Sequence, residues 1–158
     1  MEWNIKTISR RCSVCGESFH DGEEVVSLVF KADSGETLRC DVASKCLLSF
    51  TFSGKLIGQW RRVFSSGNTE EDRAKQETAI REEFFFSLFD GEESVETDIL
   101  KQLLALYLER NRILRRVGKT GRFIKFIRVH DKKEYLVPDK EILPEDLTSV
   151  ENIFEMLQ

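Results

Sequence analysis

Proline and histidine are nearly absent from this chain, with two of each among 158 residues. So few prolines, beside 41% hydrophobic and 33% charged residues, exclude a disordered chain and describe a globular one. His20 and His130 sit in polar turn sequences with no nearby serine and no convincing acid partner, so both read as surface residues. Long apolar runs are missing as well. No segment approaches the roughly 18 apolar residues of a membrane helix, and the N-terminal MEWNIKTISRRC has no apolar stretch that could act as a signal peptide. A cytoplasmic protein is expected. The length accommodates one ordinary domain, or a small metal module on a larger core, burying roughly 68 to 70% of the unfolded surface. A second full-sized domain would not fit.

Cysteine is scarce too, and the placement of its four copies is informative. In a reducing compartment four cysteines hold metal or sit in the core more often than they pair as disulfides. Cys12 and Cys15, followed by Gly16, have the spacing of a zinc knuckle, in which two thiolates converge on one ion at ~2.3 Å and the glycine allows the tight turn. Cys40 and Cys46 lie one hairpin further on. Between the two pairs, EEVVSLVFK and ETLRCDV alternate as strands, joined by a turn at Asp33, Ser34 and Gly35. A hairpin of that length returns the chain to its start, which makes the module a zinc ribbon with ligands Cys12, Cys15, Cys40 and Cys46. The gap between Cys40 and Cys46 is wider than a knuckle's usual two to four residues, so His20 or Asp41 is an alternative fourth ligand, and a site without metal stays open. A thioredoxin-like redox pair fits poorly, because Cys12-x-x-Cys15 leads into a polar turn and a strand instead of a helix N-terminus.

Residues 47–68 show no sustained period and read as a strand or irregular cover ending in a turn at Ser65, Ser66, Gly67 and Asn68. Trp60 is an aromatic plug there, with Arg61 and Arg62 at its edge. Thr69 is the expected N-cap of a helix whose Ile80, Phe84 and Leu88 share a face, with Phe85 and Phe89 beside them, and which stops near Asp90 and Gly91. A second helix, capped by Ser94 or Thr97, carries a stripe through Ile99, Leu103 and Leu106 or Tyr107 to Leu114, widened by Leu100, Leu104 and Leu108. Gly118 is its expected C-terminal cap, with Arg115 and Arg116 against the negative end of the dipole. RFIKFIRV and EYLV then form a hairpin around a turn at residues 130–133, ended by Pro138. A closing helix brings Leu147, Val150, Ile153, Phe154 and Leu157 to one face. The expected fold is α+β: a zinc-ribbon-like β module over 1–66, packed on a two-to-three-helix core with a C-terminal β-hairpin and closing helix over 67–158, the two forming one compact unit.

The run LLALYLERNRILRRV, the hairpin end at Val137, Pro138 and Asp139, the Arg39-x-Asp41 step and the WRR segment together resemble an uncharacterised family of small bacterial proteins. The resemblance spans nearly the whole chain. It implies an architecture and no activity. Where the family pattern places a cysteine two residues after the aspartate, this sequence has Ala43, so Cys40 is a substitute ligand or a ligand has been lost.

Charge is polarised along the chain. Residues 110–133 hold ten Lys or Arg against one acid, and residues 69–98 hold three basic against eleven acidic, although the total is only −4. Arg115, Arg116, Lys119, Arg122, Lys125 and Arg128, interleaved with Phe123, Phe126 and Tyr135, would suit a phosphate backbone with stacked bases. Against this, a dedicated nucleic-acid binder usually has a basic pI, and this chain's is about 5.4. Packing of the acidic helix near the basic segment, with the aromatics in the core, is the simpler expectation. Gly118-Lys119-Thr120 lacks the glycine a phosphate loop needs five residues earlier, where Ile113 stands. Glu109, the most prominent acid, is expected to pair with Arg110 or Arg112. The composite expectation is a non-catalytic, zinc-stabilised protein-interaction or scaffold module. The alternatives are a nucleic-acid-associated protein, or an enzyme with an open three-cysteine metal site.

Overall fold

The structure, a computed structural model, describes residues 10–65, 70–91 and 93–157. The expected turn at 66–68 and the N-cap Thr69 lie outside the described residues. The fold is α+β, with two three-stranded antiparallel sheets and three α-helices among the described residues.

The first sheet has β1 (Glu24–Ala32) between β2 (Thr37–Ala43) and β3 (Gly54–Val63). β1 is almost continuously buried because both of its faces are covered. Val29 points with Ile57 and Trp60 into the main core, while Val26 and Leu28 join Cys12, Phe19, Val42 and Phe64 in a smaller one. The β1–β2 turn is built as its residues dictate: Gly35 takes φ 91°, and its N–H bonds the Ala32 carbonyl at 2.9 Å. After β2 a 3-10 helix, Ser44–Ser49, and an extended stretch cross to the far end of the sheet, where Phe50 and Phe52 pack on Phe30. β3 then enters at Gly54, where a Cβ would lie 1.9 Å from the Lys31 carbonyl oxygen. No other residue fits that position.

α1 (Glu70–Ser87) lies on β3. Gly58 makes the close approach possible, since a Cβ there would meet the Phe84 ring at 2.5 Å. Ile80, Phe84, Phe85 and Leu88 are buried, the face that the periodicity predicts. α2 (Val95–Arg110) starts at Ser94, whose hydroxyl accepts from Thr97 N–H at 3.2 Å while Thr97 Oγ1 accepts from Ser94 N–H at 2.9 Å. Its end corrects the sequence reading. The N–H of Ile113 bonds the Leu108 carbonyl and that of Arg112 the Glu109 carbonyl, with Arg112 at φ 61°. This is a Schellman motif with arginine where glycine is usual, so the stop carries no glycine signal. Gly118 therefore caps nothing and lies inside β4 (Leu114–Thr120), at a register shift against β5. Glu109 pairs with Arg116 across this corner at 3.5 Å and not with a helix neighbour.

β4, β5 (Phe123–Arg128) and β6 (Glu134–Pro138) form the second sheet, one strand more than the expected hairpin. α3 (Pro144–Met156) buries Val150, Ile153 and Met156, with Leu157 just beyond it, against α2; Leu147 stays exposed. Val29, Ile57 and Trp60 share one core with α1, α2, α3 and the second sheet, so the expected boundary near residue 66 divides the sequence but not the packing.

Candidate metal centre

The segment at Cys12 to Gly16 folds as its spacing requires. Gly16 N–H closes the turn onto the Cys12 carbonyl at 3.0 Å, with Gly16 at φ 75°. Ser13 N–H bonds the Asp41 carbonyl at 3.0 Å, which pins the turn to β2. The Cys12 sulfur accepts the N–H of Val14 at 3.4 Å and of Ala43 at 3.3 Å. Amides aimed at a sulfur stabilise its thiolate, and metal-binding knuckles need the same arrangement.

Three thiols meet here. The sulfurs of Cys12, Cys15 and Cys46 all lie within 4.8 Å of one another, with Cys12 buried, Cys15 exposed and Cys46 half-buried. Burial pushes the Cys12 thiol up, but amides of Cys15, Ala43 and Val14 and the Cys15 thiol outweigh it and hold Cys12 at about 7. Cys46 is pushed to about 11, first by desolvation, then by its hydrogen bonds to Cys15 and Cys12 and by their negative charge. The backbone amides aimed at its sulfur thus favour the Cys12 thiolate. A divalent cation at the centre would draw off the remaining protons, since the thiolate is the metal ligand. The three soft donors fit zinc.

The structure brings together three of the expected ligands and leaves the others apart. Cys40 stands opposite Leu28 in the β1–β2 ladder, and its sulfur is not in the cluster. Burial raises its thiol, against the hydrogen bond from the Ser13 side chain and with the Asp41 charge. His20 is exposed, its amide bonded to the Glu23 carboxylate at 3.1 Å, and it does not join the thiols. Asp41 is committed elsewhere: Oδ1 accepts the Ser27 hydroxyl at 2.5 Å and the Arg39 guanidinium at 3.2 Å. The site is a knuckle joined by one cysteine of the 3-10 helix, Ser44–Ser49, and not a pair of knuckles.

That buried polar group was only partly visible in the sequence. Arg39 and Asp41 share a face of β2 by strand alternation, but their other partners are remote: Ser27 on β1 for Asp41, and for Arg39 the Trp60 ring 4.9 Å from the guanidinium and the carbonyl of Met156 in α3. The Arg39 side chain is 1% exposed. Burial, then the nearby Arg39 charge, lowers Arg62 to about 10 against the pull of Asp41. The group clamps the sheet to the last helix.

The basic segment is exposed at Arg115, Arg116, Lys119 and Arg122, with Lys125 and Arg128 half-buried. Four of these six are paired: Arg116 with Glu109 at 3.5 Å, Lys119 with Asp139 at 2.8 Å, Lys125 with Glu134 at 3.0 Å and Arg128 with Asp131 at 3.6 Å. Phe126 and Tyr135 are in the core, leaving Phe123 exposed. Among the described residues no helix is long and apolar enough to cross a membrane. Comparison with family models, with curated proteins and with solved structures gives no match for this chain.

Proposed function

We propose that Cys12, Cys15 and Cys46 bind one zinc ion that fastens the knuckle to the 3-10 helix, and that the protein is a zinc-stabilised interaction module without catalytic chemistry of its own. The convergence of three sulfurs within 4.8 Å, one of them already receiving backbone amides, carries the reading. Zinc in such a setting supplies folding energy to a small core. Leu48, on the same short helix as Cys46, is fully exposed, and Phe52 and Leu56 are partly exposed nearby in sequence. These side chains favour a protein partner.

Elemental analysis of the untagged protein tests this directly. One zinc per chain is expected in the wild type and loss of it in Cys46→Ser; a metal-free wild type whose unfolding is unchanged by chelator would overturn the proposal. A nucleic-acid function through the basic segment draws less support, because four of its six cations are already neutralised by acids and two of its three aromatics are buried. An enzyme with an open three-cysteine site is the second reading, favoured by the same count of three thiols and no fourth ligand among the described residues.

A further inference from the structure

The ligand count of the thiol cluster leads one step further, resting on the zinc reading above. Zinc in a structural site is tetrahedral and takes four donors. Among the described residues only Cys12, Cys15 and Cys46 come within reach of a common ion. Nothing softer is left to recruit. The residues outside the description contain no cysteine and no histidine; the carboxylates whose side chains lie outside it are Glu2, Asp72 and Glu92. Cys40 is held in the ladder opposite Leu28 with its sulfur bonded to Ser13, and a shift into the cluster would break that bond.

We propose that the zinc held by these three cysteines keeps its fourth coordination position for a thiolate supplied by another molecule. Three features of the site support this occupant. Soft thiolate donors on the first three positions favour a soft fourth. The cluster opens to solvent on its Cys15 side, where Val14 and Cys15 are exposed. A fourth thiolate would add negative charge, and the exposed residues directly before two of the ligands are cations, Arg11 before Cys12 and Lys45 before Cys46, the latter 3.8 Å from Glu17. On binding, the incoming S–H loses its proton to solvent and its sulfur forms the fourth bond to the ion, displacing water, with no change of oxidation state. Leu48, two residues beyond Cys46 in the chain, is fully exposed.

Cobalt, a spectroscopic substitute for zinc, reads the coordination of the full chain directly. Thiolate-to-cobalt charge transfer grows with each sulfur bound, and the visible bands report the geometry. The expected result is a three-thiolate spectrum in wild type and in Cys40→Ser alike. Titration with β-mercaptoethanol should then change it saturably towards four thiolates. A cysteine peptide flanked by leucines distinguishes the source. Binding at least roughly tenfold tighter than β-mercaptoethanol, worth ~1.4 kcal/mol, assigns the thiolate to a protein, and equal binding assigns it to a small thiol. Loss of charge-transfer intensity in Cys40→Ser, with a wild type that ignores added thiol, would overturn this inference and leave the zinc reading intact. A spectrum altered by Glu2→Gln would do the same in favour of the chain's own carboxylate. Failure of wild type to bind cobalt or zinc would overturn both.

Discussion

The two hydrophobic clusters of this protein are built on different terms. The larger gathers side chains from β3, all three helices and the second sheet around Trp60, Phe84, Phe85 and Leu104. Among the described residues the smaller, around Val26, Phe19 and Phe64, holds eight buried residues, one of them Cys12. A cluster of that size buries too little apolar surface to hold irregular backbone by itself, and small modules of this kind rely on a staple. The thiol site sits on the smaller cluster and not on the larger. A metal here would therefore matter chiefly for the knuckle and its neighbours.

Truncation of a core ring separates the two regions most strongly. Phe84→Ala, which removes a fully buried ring 5.9 Å from Trp60, should cost about 3–5 kcal/mol in urea unfolding. Phe19→Ala, at the edge of the small cluster beside Phe64, should cost clearly less and act mainly on local opening near residues 10–20. Equal costs for the two would make the clusters one cooperative unit.

The clamp between the sheet and α3 comes next. Asp41→Ala strands the Arg39 guanidinium, whose side chain is 1% exposed, and should cost about 3–5 kcal/mol. Adding Arg39→Met should recover a large part of this, because the unpaired buried charge goes with it. A double-mutant cycle in which the losses simply add would deny the coupling between these residues.

Zinc removal should be smaller and confined to one region. At zinc a hundredfold above its Kd the proposed ion would contribute about 2.7 kcal/mol, and stripping it should speed hydrogen exchange at the amides of Val14 and Ala43 while leaving α2 unchanged. Exchange that rises across α2 as well would break the contrast between the regions. Smallest is Arg112→Gly, which relieves a side chain held at φ 61° and should raise stability by less than about 1 kcal/mol.

Much of this was legible locally. The Cys12–Gly16 turn, the β1–β2 hairpin, the buried faces of α1 and α3 and the Ser94 cap all rest on residues within a few positions of one another, and each was read with nearly its observed limits. The misreadings share a cause. α2 appeared to run to Gly118 because the left-handed residue that stops it is an arginine, so the helical apolar stripe ran on into a strand whose first residue, Leu114, is also buried. Cys40, read in the strand ETLRCDV and as a ligand, stays in that strand with its sulfur outside the cluster, because spacing along the chain does not say which thiols the fold brings together.

The sequence by itself determined the fold class, the knuckle and the positions of the helices, because backbone preference and side-chain periodicity act over one or two turns of chain. Only the tertiary structure decided which third cysteine meets Cys12 and Cys15, that Asp41 faces Ser27 and Arg39, and that Phe126 and Tyr135 are buried. Those outcomes depend on where β2 ends and the 3-10 helix, Ser44–Ser49, begins, and on which face of each strand meets a helix. Packing fixes both, between residues far apart in the chain.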